Sequence, residues 1–282
     1  MRLHVLGVRG STPSPGRDFA RYGGNTSCVA IGRDGAAPSL LLDAGTGLRG
    51  LGALLGDQPF HGALLLGHLH WDHTQGLPFS PALDHDAAEV RLCLPDQEDG
   101  DAAVDVLRRA MSPPHFPIGP EGLRGRWTFE GLEPGYHHVA GFEVLALEIP
   151  HKGGRTYGYR ISDDTSAVAY LSDHGPGALG PGPEGWGPYH DNAMALAAGV
   201  DLLVHDAQHT ADELPTRLAW GHSAADYPVE LARRAEAKAV LLYHHDPTRT
   251  DDEVDALVAS FAGAPLPVTA AAEGATIQLG LS

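Results

Sequence analysis

The sequence predicts an α/β fold in which two β-sheets pack face to face between outer layers of helices, as a four-layer αββα sandwich. Short apolar runs of the kind that form strands occur in two groups along the chain, and helix-like stretches lie between them. Strands and helices in this arrangement bury their apolar faces as two packed sheets with the helices outside. The 282 residues, 43% of them hydrophobic, are enough to bury such a core, and we expect one domain over residues 1–282.

The first group of predicted strands occupies the first third of the chain. Each run is apolar and is bounded by Gly, Pro or Asp, as expected for a strand that ends in a turn. The runs are residues 3–6, 27–31, 39–42, 63–66 and 89–92. A helix-like stretch over residues 99–111 follows. The Pro- and Gly-rich segment 112–135 has little periodicity and is expected to form a long loop or flap.

The second group of predicted strands follows that loop. The runs are residues 142–149, 156–161, 166–171, 200–204, 239–243 and 275–279. Helix-like stretches at residues 192–198, 223–237 and 251–261 lie between several of them. Ser223 is a suitable N-cap for the middle helix, with Asp226 three residues later as a weak capping-box partner.

The charge balance constrains the partners of the protein. The chain has 19 basic and 36 acidic side chains, which give a formal net charge of −17. Such a surface repels polyanions unless basic groups cluster or metal ions neutralise the site. The sequence therefore disfavours a large nucleic acid as the substrate, without excluding one.

Cysteine content and hydropathy indicate the compartment. Cys28 and Cys93 are too few for a disulfide framework, and the first residues lack the long apolar stretch of a signal peptide. No apolar run approaches the roughly 20 residues that cross a bilayer. We therefore expect a cytoplasmic protein without a membrane-spanning segment.

Histidine is unusually abundant, with 17 residues, and it is the commonest metal ligand in proteins. Four potential ligands occur together in the run His68-Leu69-His70-Trp71-Asp72-His73, directly after the predicted strand 63–66. Side chains two residues apart at a strand end can face the same ion, whereas the adjacent Asp-His pair can turn toward a second ion. Neither cysteine lies nearby, so an open, catalytic site is favoured over a closed structural zinc site.

This run, with the Gly76-Leu77-Pro78 that follows it, resembles the signature of the metallo-β-lactamase superfamily. Residues 7–13, 22–27 and 43–47 are similar to the phosphodiesterase branch that includes ribonuclease Z and the cyclic-phosphate hydrolases. The resemblance covers almost the whole chain. It implies the αββα fold, two divalent metal ions and hydrolysis by a hydroxide that bridges them. Zinc is the metal expected first, with manganese as the alternative.

The resemblance also implies the ligands of each metal. His68, His70 and His151 would hold the first metal, Asp72, His73 and His244 the second, and Asp173 would bridge them. Residues 169–173, a strand that ends in Ser-Asp, are similar to the family's segment with the bridging carboxylate. The last ligand is left open, because His245 stands next to His244 and competes for the same role.

Two further segments resemble ribonuclease Z. Residues 202–207 are similar to its His-Glu-Ala stretch, and residues 221–224 are similar to its His-Ser-Thr loop. By this resemblance His222, oriented by Asp206, would protonate the leaving oxygen, and Asp72 would align the hydroxide as well as bind metal. The reach of Asp206, which is shorter than the family's glutamate, is left open.

Several residues near these motifs have structural interpretations. Asp43 is expected to shape the turn near the metals rather than to bind them. Arg9, Tyr22 and Asn25 either line the pocket or belong to a tight turn. Trp71 is expected to pack in the core beneath the metal loop.

The sequence thus favours a dinuclear metal phosphodiesterase that hydrolyses a small or cyclic phosphodiester, such as a cyclic nucleotide. We find no Gly-Pro-rich, Lys-containing insertion that would correspond to the tRNA-grasping arm of ribonuclease Z. Three alternatives stay open: endonuclease action at tRNA 3′ ends, hydrolysis of an ester, thioester or lactone at the same site, and a non-enzymatic metal sensor. A homodimer is a family-level expectation.

Overall fold

A computed structural model of the chain describes residues 1–97 and 102–280, and within these residues fourteen strands form two seven-stranded sheets. One sheet contains β1 (Arg2–Gly7), β2 (Cys28–Gly32), β3 (Leu40–Leu42), β4 (His61–Leu65), β5 (Glu89–Pro95), β6 (Arg126–Leu132) and β14 (Thr276–Gln278). The other contains β7 (Gly135–Val139), β8 (Phe142–Glu148), β9 (Tyr157–Ser162), β10 (Ala167–Leu171), β11 (Leu202–Asp206), β12 (Val240–Tyr243) and β13 (Val268–Ala270). The two-sheet architecture predicted from the sequence is confirmed.

Each sheet contains a block of parallel strands. The first sheet has the order β14-β1-β2-β3-β4-β5-β6, and the second has the order β13-β12-β11-β10-β9-β8-β7. Strands β3 to β6 are parallel to one another, and so are β10 to β13. The carboxyl ends of parallel strands open at one edge of a sheet, where α/β folds place their functional loops.

The α-helices of the described residues are short. They are α1 (Leu51–Leu55), α2 (Trp71–Thr74), α3 (Ala103–Arg108), α4 (Asp191–Ala197), α5 (Leu214–Arg217), α6 (Asp226–Arg234) and α7 (Asp251–Ser260). Helix α7 begins at a complete capping box, in which Thr250 and Glu253 each accept a hydrogen bond from the other's backbone N–H. None of the helices in residues 1–97 and 102–280 is long and apolar enough to cross a membrane.

The central core lies between the two sheets, and a further apolar layer lies outside each. Val29 and Leu65 from the first sheet are fully buried in the same cluster as Ile161 and Tyr243 from the second. Side chains on the outer faces of the sheets pack against the helices. A strand that is covered on both faces has a continuous apolar sequence. Strand β3, Leu40–Leu42, is an example. This double covering defines a four-layer sandwich.

Three strands were not predicted from the sequence. β6 and β7 overlap the segment 112–135, which was expected to be one loop, and β13 follows the last helix. In β6, exposed residues alternate with the half-buried Trp127 and Phe129, which pack against the outer apolar layer of the first sheet. Only every second residue of such an edge strand is apolar, so the Pro- and Gly-rich composition around it obscured the alternation.

Two helix predictions are corrected or limited by the structure. Helix α6 begins at Asp226, and Ser223 is not its N-cap. The Ser223 hydroxyl instead donates to the carbonyl of His174 at 2.5 Å, which fixes the loop ahead of the helix. The helix expected over residues 99–111 is α3, and residues 99–101 lie outside the described residues.

Candidate metal centre

The predicted metal ligands meet at one edge of the two sheets. The motif of residues 68–73 follows β4, His151 follows β8, Asp173 follows β10 and His244 follows β12. Strands β8, β10 and β12 run in the same direction in the second sheet, so their carboxyl ends open at one edge. The motif loop of the first sheet meets this edge. The structure therefore brings all seven predicted ligands together.

The first cluster contains His68, His70, His151 and Asp173, whose ligand atoms all lie within 4.8 Å of one another. Asp173 Oδ2 is 3.6 Å from His68 Nε2 and 3.5 Å from His151 Nε2. His151 Nε2 is also 3.3 Å from His70 Nδ1. Three imidazole nitrogens and one carboxylate oxygen around a single point form a donor set that suits a zinc ion.

The second cluster contains Asp72, His73, Asp173 and His244, again with all ligand atoms within 4.8 Å. Asp173 Oδ1 is 3.0 Å from His73 Nε2 and 3.2 Å from His244 Nε2. Asp72 Oδ2 is 3.2 Å from His73 Nε2 and 3.1 Å from His244 Nε2. Asp173 thus presents one carboxylate oxygen to each cluster, as a bridging ligand does.

Some buried atoms of these clusters have no hydrogen-bond partner. His68 Nε2 and Asp173 Oδ1 are both buried without a well-oriented hydrogen bond, although Asp173 Oδ1 lies 3.0 Å from His73 Nε2. A buried polar atom without a partner costs about 1–3 kcal/mol, so lone pairs that face one another at these distances favour a cation between them. The residues therefore fit two divalent cations. Their nitrogen and carboxylate ligands are compatible with zinc or manganese.

Asp43 supports the second cluster from behind. Its Oδ2 accepts hydrogen bonds from His73 Nδ1 and from the Tyr170 hydroxyl, each at 2.7 Å. Its Oδ1 accepts the Gly67 N–H at 2.8 Å. The bond to Asp43 engages Nδ1 of His73 and directs Nε2 toward the second cluster. Asp43 therefore shapes the beginning of the metal loop, as expected, and does not itself join a cluster.

Replacing Asp43 with asparagine is expected to weaken metal binding about 10- to 100-fold, the usual effect of losing a carboxylate behind a ligating histidine. The Asp57→Asn variant is a matched control, because Asp57 is exposed and, like Asp43, has a φ of +60°. Competition with a chelator of known affinity measures the change. An unchanged affinity in Asp43→Asn would contradict this role.

Backbone groups lie against two further predicted ligands, His151 and His244. His151 Nδ1 donates to the carbonyl of Gly221 at 2.6 Å, which leaves Nε2 for the first cluster. A β-carbon at Gly10 would lie only 2.5 Å from His244 Nδ1. Glycine at this position therefore allows the loop after β1 to approach the second cluster closely.

Burial and charge set the protonation of the clusters. Burial lowers the pKa of the His68 imidazole well below its usual value, so the ring is neutral and its lone pair is free to bind a cation. Burial would also lower the pKa of His73, but the carboxylates of Asp173 and Asp72 outweigh it and raise that pKa well above the usual value, so a cation that binds here would displace the proton on His73 Nε2. Despite its own burial, the Asp173 carboxyl has a pKa held well below its usual range by His244 and His73. The bridging carboxylate is therefore ionised, which is the form that binds metal.

His222 and Asp206 form a hydrogen-bonded pair beside the first cluster. His222 Nδ1 donates to Asp206 Oδ2 at 2.7 Å, so the shorter aspartate does reach the ring. Asp206 is held in turn by the backbone N–H groups of His174 and Gln208. Burial alone would lower the pKa of His222, but the Asp206 carboxylate outweighs it and raises that pKa to about 8. With Nδ1 engaged, Nε2 is the nitrogen that can donate a proton to a group in the cavity.

The geometry distinguishes His244 from His245. The His244 ring faces the second cluster, whereas His245 belongs to neither cluster and its Nε2 donates to the carbonyl of Ala271 at 3.0 Å. The backbone at His244 has a φ of +56°, in the left-handed region, which redirects the side chain at the end of β12. The structure therefore favours His244 as the last ligand.

Replacing His244 with alanine is expected to lower the bound metal by about half, because only the second cluster loses a ligand. His245→Ala is the matched control. It should keep its metal content but lose about 1–3 kcal/mol of unfolding free energy, because the Ala271 carbonyl is left unpaired. Metal analysis and urea unfolding measure the two effects. Loss of metal in His245→Ala but not in His244→Ala would make His245 the last ligand instead.

A cavity of about 470 Å³ opens onto both clusters. Its walls are Ser11, Leu69, His70, Trp71, Asp72, Lys152, Asp173, Trp220 and His222. The sequence interpretation missed Lys152, although it is one of only two lysines in the chain and directly follows His151. Its ammonium group gives the cavity a cationic wall that can attract an anionic substrate. The sequence interpretation also missed Ser11, whose N–H donates to Asp72 Oδ2 at 2.7 Å.

The expectation that Trp71 packs in the core is wrong. Its side chain is 76% exposed and lines the cavity. Helix α2 begins at this residue, and successive helical side chains point about 100° apart. A helix that directs Asp72 and His73 into the clusters therefore directs Trp71 outward.

Arg9, Tyr22 and Asn25 do not line the cavity. The Arg9 guanidinium is fully buried and donates to three backbone carbonyls. The Tyr22 hydroxyl donates to Asp255 in α7, and the Asn25 amide donates to Glu273. These bonds fasten the loops after β1 to the rest of the chain.

Comparison with known families identifies the protein's class. The chain matches the family described as the beta-lactamase superfamily domain over residues 39–245, which is well over half of its length. The chain belongs to this superfamily and is a metal-dependent hydrolase. It is 23% identical to a ribonuclease Z of Natronomonas pharaonis, over 90% of this chain and 92% of that protein. A ribonuclease Z of Haloarcula marismortui is 24% identical, over 92% of this chain and 90% of that protein.

Solved structures share the fold over nearly the whole chain. The metallo-beta-lactamase fold protein YhfI from Bacillus subtilis has a TM-score of 0.71 at 18% identity, with 98% of this chain and 99% of that chain covered. Zn(2+)-bound PqqB from Methylobacterium extorquens has a TM-score of 0.68 at 18% identity, with 99% and 100% covered. A diphosphatase from the PhnP family has a TM-score of 0.67 at 20% identity, with 99% and 97% covered. At these identities the likeness establishes the fold alone.

Proposed function

We propose that the protein is a dinuclear metal-dependent phosphodiesterase that hydrolyses a small or cyclic phosphodiester, such as a cyclic nucleotide. The observation that carries the proposal is the bridging position of Asp173, between two ligand clusters that open onto one cavity beside His222. The curated relatives named ribonuclease Z support a phosphodiester as the substrate.

The cavity and the charge of the chain favour a small substrate. A cavity of about 470 Å³ is in the range of pockets that bind small molecules. The net charge of −17 opposes the approach of a long polyanion, whereas Lys152 and the metal ions would neutralise a single phosphodiester within the cavity. The homodimer and the cytoplasmic location stay predictions of the sequence.

Different groups in the site would carry out different steps of phosphodiester hydrolysis. When bound, two divalent ions, proposed as zinc with manganese as the alternative, would activate water near neutral pH and offset charge on a phosphoryl oxygen. Asp72, whose Oδ2 accepts the Ser11 N–H, would orient the attacking water as well as bind metal. As the bond from phosphorus to the leaving oxygen breaks, that oxygen takes a proton from His222 Nε2. The Asp206 carboxylate stabilises the protonated ring before this transfer.

Ribonuclease Z activity on tRNA 3′ ends is the second candidate function. It is favoured by the two relatives named ribonuclease Z, which match about nine-tenths of this chain. The acidic balance and the lack of an arm-like insertion in the sequence count against it. Ester or lactone hydrolysis at the same site is the remaining enzymatic alternative, and the substrate comparison below distinguishes it.

A substrate comparison with metal-reconstituted protein tests the proposal. We expect hydrolysis of bis-p-nitrophenyl phosphate and of at least one cyclic mononucleotide or dinucleotide, and loss of both activities after chelation. A lactone and a precursor tRNA are included in parallel. Activity on the lactone alone would refute the proposal, and specific cleavage of the precursor at physiological salt would replace it with the second candidate.

A further inference from the structure

An apolar pocket lies directly beside the metal cavity and plays no part in the mechanism described above. Its volume is about 200 Å³. Its walls come from the metal loop, from the segment that follows it, and from α3 with the residues beyond that helix. They include Trp71, Phe79, Leu107 and Phe116.

The metal loop forms a wall of both the pocket and the metal cavity. Leu69 and Trp71 line the two spaces alike. In the sequence they alternate with the predicted ligands His70 and Asp72, so one short loop presents ligands on one side and apolar surface on the other. A single small molecule can therefore have a phosphodiester at the clusters and an apolar group in the pocket.

The pocket exposes large aromatic side chains. Trp71 is 76% exposed and Phe79 is 57% exposed. Phe79 also contacts Phe116 edge to face, with ring centroids 5.8 Å apart. Contiguous exposed apolar surface on a soluble protein usually marks a place that a ligand or partner covers, and aromatic faces bind flat rings well. Because Leu69 and Trp71 line both this pocket and the metal cavity, the substrate itself is favoured as the occupant.

The size and polarity of the pocket indicate the group that it takes. An apolar cavity of about 150 Å³ holds a benzene ring, so a pocket of about 200 Å³ accommodates one six-membered ring with its substituents. Gln75 and His115 also line it. A few polar groups within apolar walls are typical of sites that orient a heterocycle.

We propose that this pocket is a substrate subsite, so that the phosphodiester cleaved by this enzyme carries a single-ring aromatic group, such as a pyrimidine base, seated against Trp71 and Phe79. The inference rests on the proposed phosphodiesterase function and specifies its substrate class.

Two variants change the pocket without touching a predicted metal ligand. Phe79→Ala removes an exposed aromatic wall, and Ala110→Trp fills the pocket from the exposed residue Ala110. Tyr136→Ala is the matched control, because Tyr136 is an aromatic residue with 70% exposure that lines neither space. All three positions are exposed, so the variants are expected to fold, which circular dichroism checks.

Uridine 2′,3′-cyclic phosphate and glycerol 1,2-cyclic phosphate are the substrates compared, because both contain the same five-membered cyclic phosphate and only the uridine compound carries a pyrimidine base, on its ribose. Phe79→Ala and Ala110→Trp are each expected to lower kcat/KM for the uridine compound by about 5- to 100-fold, the range of base stacking on an aromatic side chain. For the glycerol compound the change should stay within about twofold. Tyr136→Ala should leave both values unchanged. Equal losses for both compounds, or no loss for either, would overturn the subsite.

A binding measurement separates failure of the subsite from failure of the proposed function. If the metal-loaded parent protein hydrolyses neither compound, and also fails on bis-p-nitrophenyl phosphate and the other cyclic nucleotides, the phosphodiesterase proposal fails. Calorimetric binding of uridine 3′-monophosphate to the parent and the variants then decides on the subsite. Binding that weakens in Phe79→Ala and Ala110→Trp, but not in Tyr136→Ala, supports it. Absent binding, or equal binding in all variants, overturns it.

Discussion

Replacing Asp173 with asparagine is expected to reduce kcat on small phosphodiesters by about 10³-fold or more. The Asp173 side chain is almost completely buried and presents one oxygen to each cluster, at 3.0 Å from His73 Nε2 and 3.5 Å from His151 Nε2. An amide has only one ligating oxygen, and its NH₂ group would point at a cation. Both clusters therefore lose charge or a ligand at once, and each 1.36 kcal/mol of lost transition-state stabilisation lowers the rate tenfold.

Turnover of bis-p-nitrophenyl phosphate and metal content, measured on the same preparation, test this expectation. Asp86→Asn is the control, because Asp86 is an exposed carboxylate outside the clusters. Its activity and metal content should match those of the parent. An Asp173→Asn protein with full metal content and activity within about tenfold of the parent would show that the carboxylate does not bridge the metals.

Replacing His222 with alanine is expected to lower kcat by about 10²- to 10⁴-fold, the usual contribution of a general acid, while the metal content stays unchanged. Its Nδ1 is bonded to Asp206 at 2.7 Å, and the ring lines the cavity rather than completing either of the two ligand clusters assigned to the metals. The loss should be largest for alkoxide leaving groups, which need a proton, and smallest for p-nitrophenolate, which leaves readily without one.

A series of phosphodiesters with leaving groups of increasing basicity measures this dependence. His222→Ala should steepen the fall of rate with leaving-group basicity, and Asp206→Asn should do so to a smaller degree. His61→Ala, which changes an exposed histidine, is the control. The same loss for every leaving group would indicate a role in substrate positioning instead, and loss of metal would indicate a ligand.

The metal loop could be predicted from the sequence because its signal is local. His68 to His73 come shortly after the predicted strand 63–66. The observed strand β4 (His61–Leu65) overlaps that prediction. Distant ligands depend on topology. His151 and Asp173 are ordinary residues in their own segments, and only the shared direction of β8 and β10 brings them to the same edge. The resemblance to a known superfamily supplied that information.

Side-chain direction is what the sequence could not provide. At the end of a strand, adjacent residues point to opposite sides, so two consecutive histidines cannot be ranked without the backbone angle. The φ of +56° at His244 turns its side chain toward the second cluster. The same limitation explains Trp71, since a large aromatic residue in an apolar context suggests a core position. Lys152 belongs to no recognisable motif. It lines the cavity only because the loop after His151 runs along it.

The seven predicted ligands come from both sheets, since the loop after β4 belongs to one and the loops after β8, β10 and β12 belong to the other. These ligand atoms come together only in the folded chain, so bound cations would hold the two sheets to each other. A ligand at one hundred times its Kd that binds only the native state adds about 2.7 kcal/mol to the free energy of unfolding. Thermal unfolding should therefore shift to lower temperature when a chelator is added, and metal supply would govern how much folded protein persists as well as how fast it turns over.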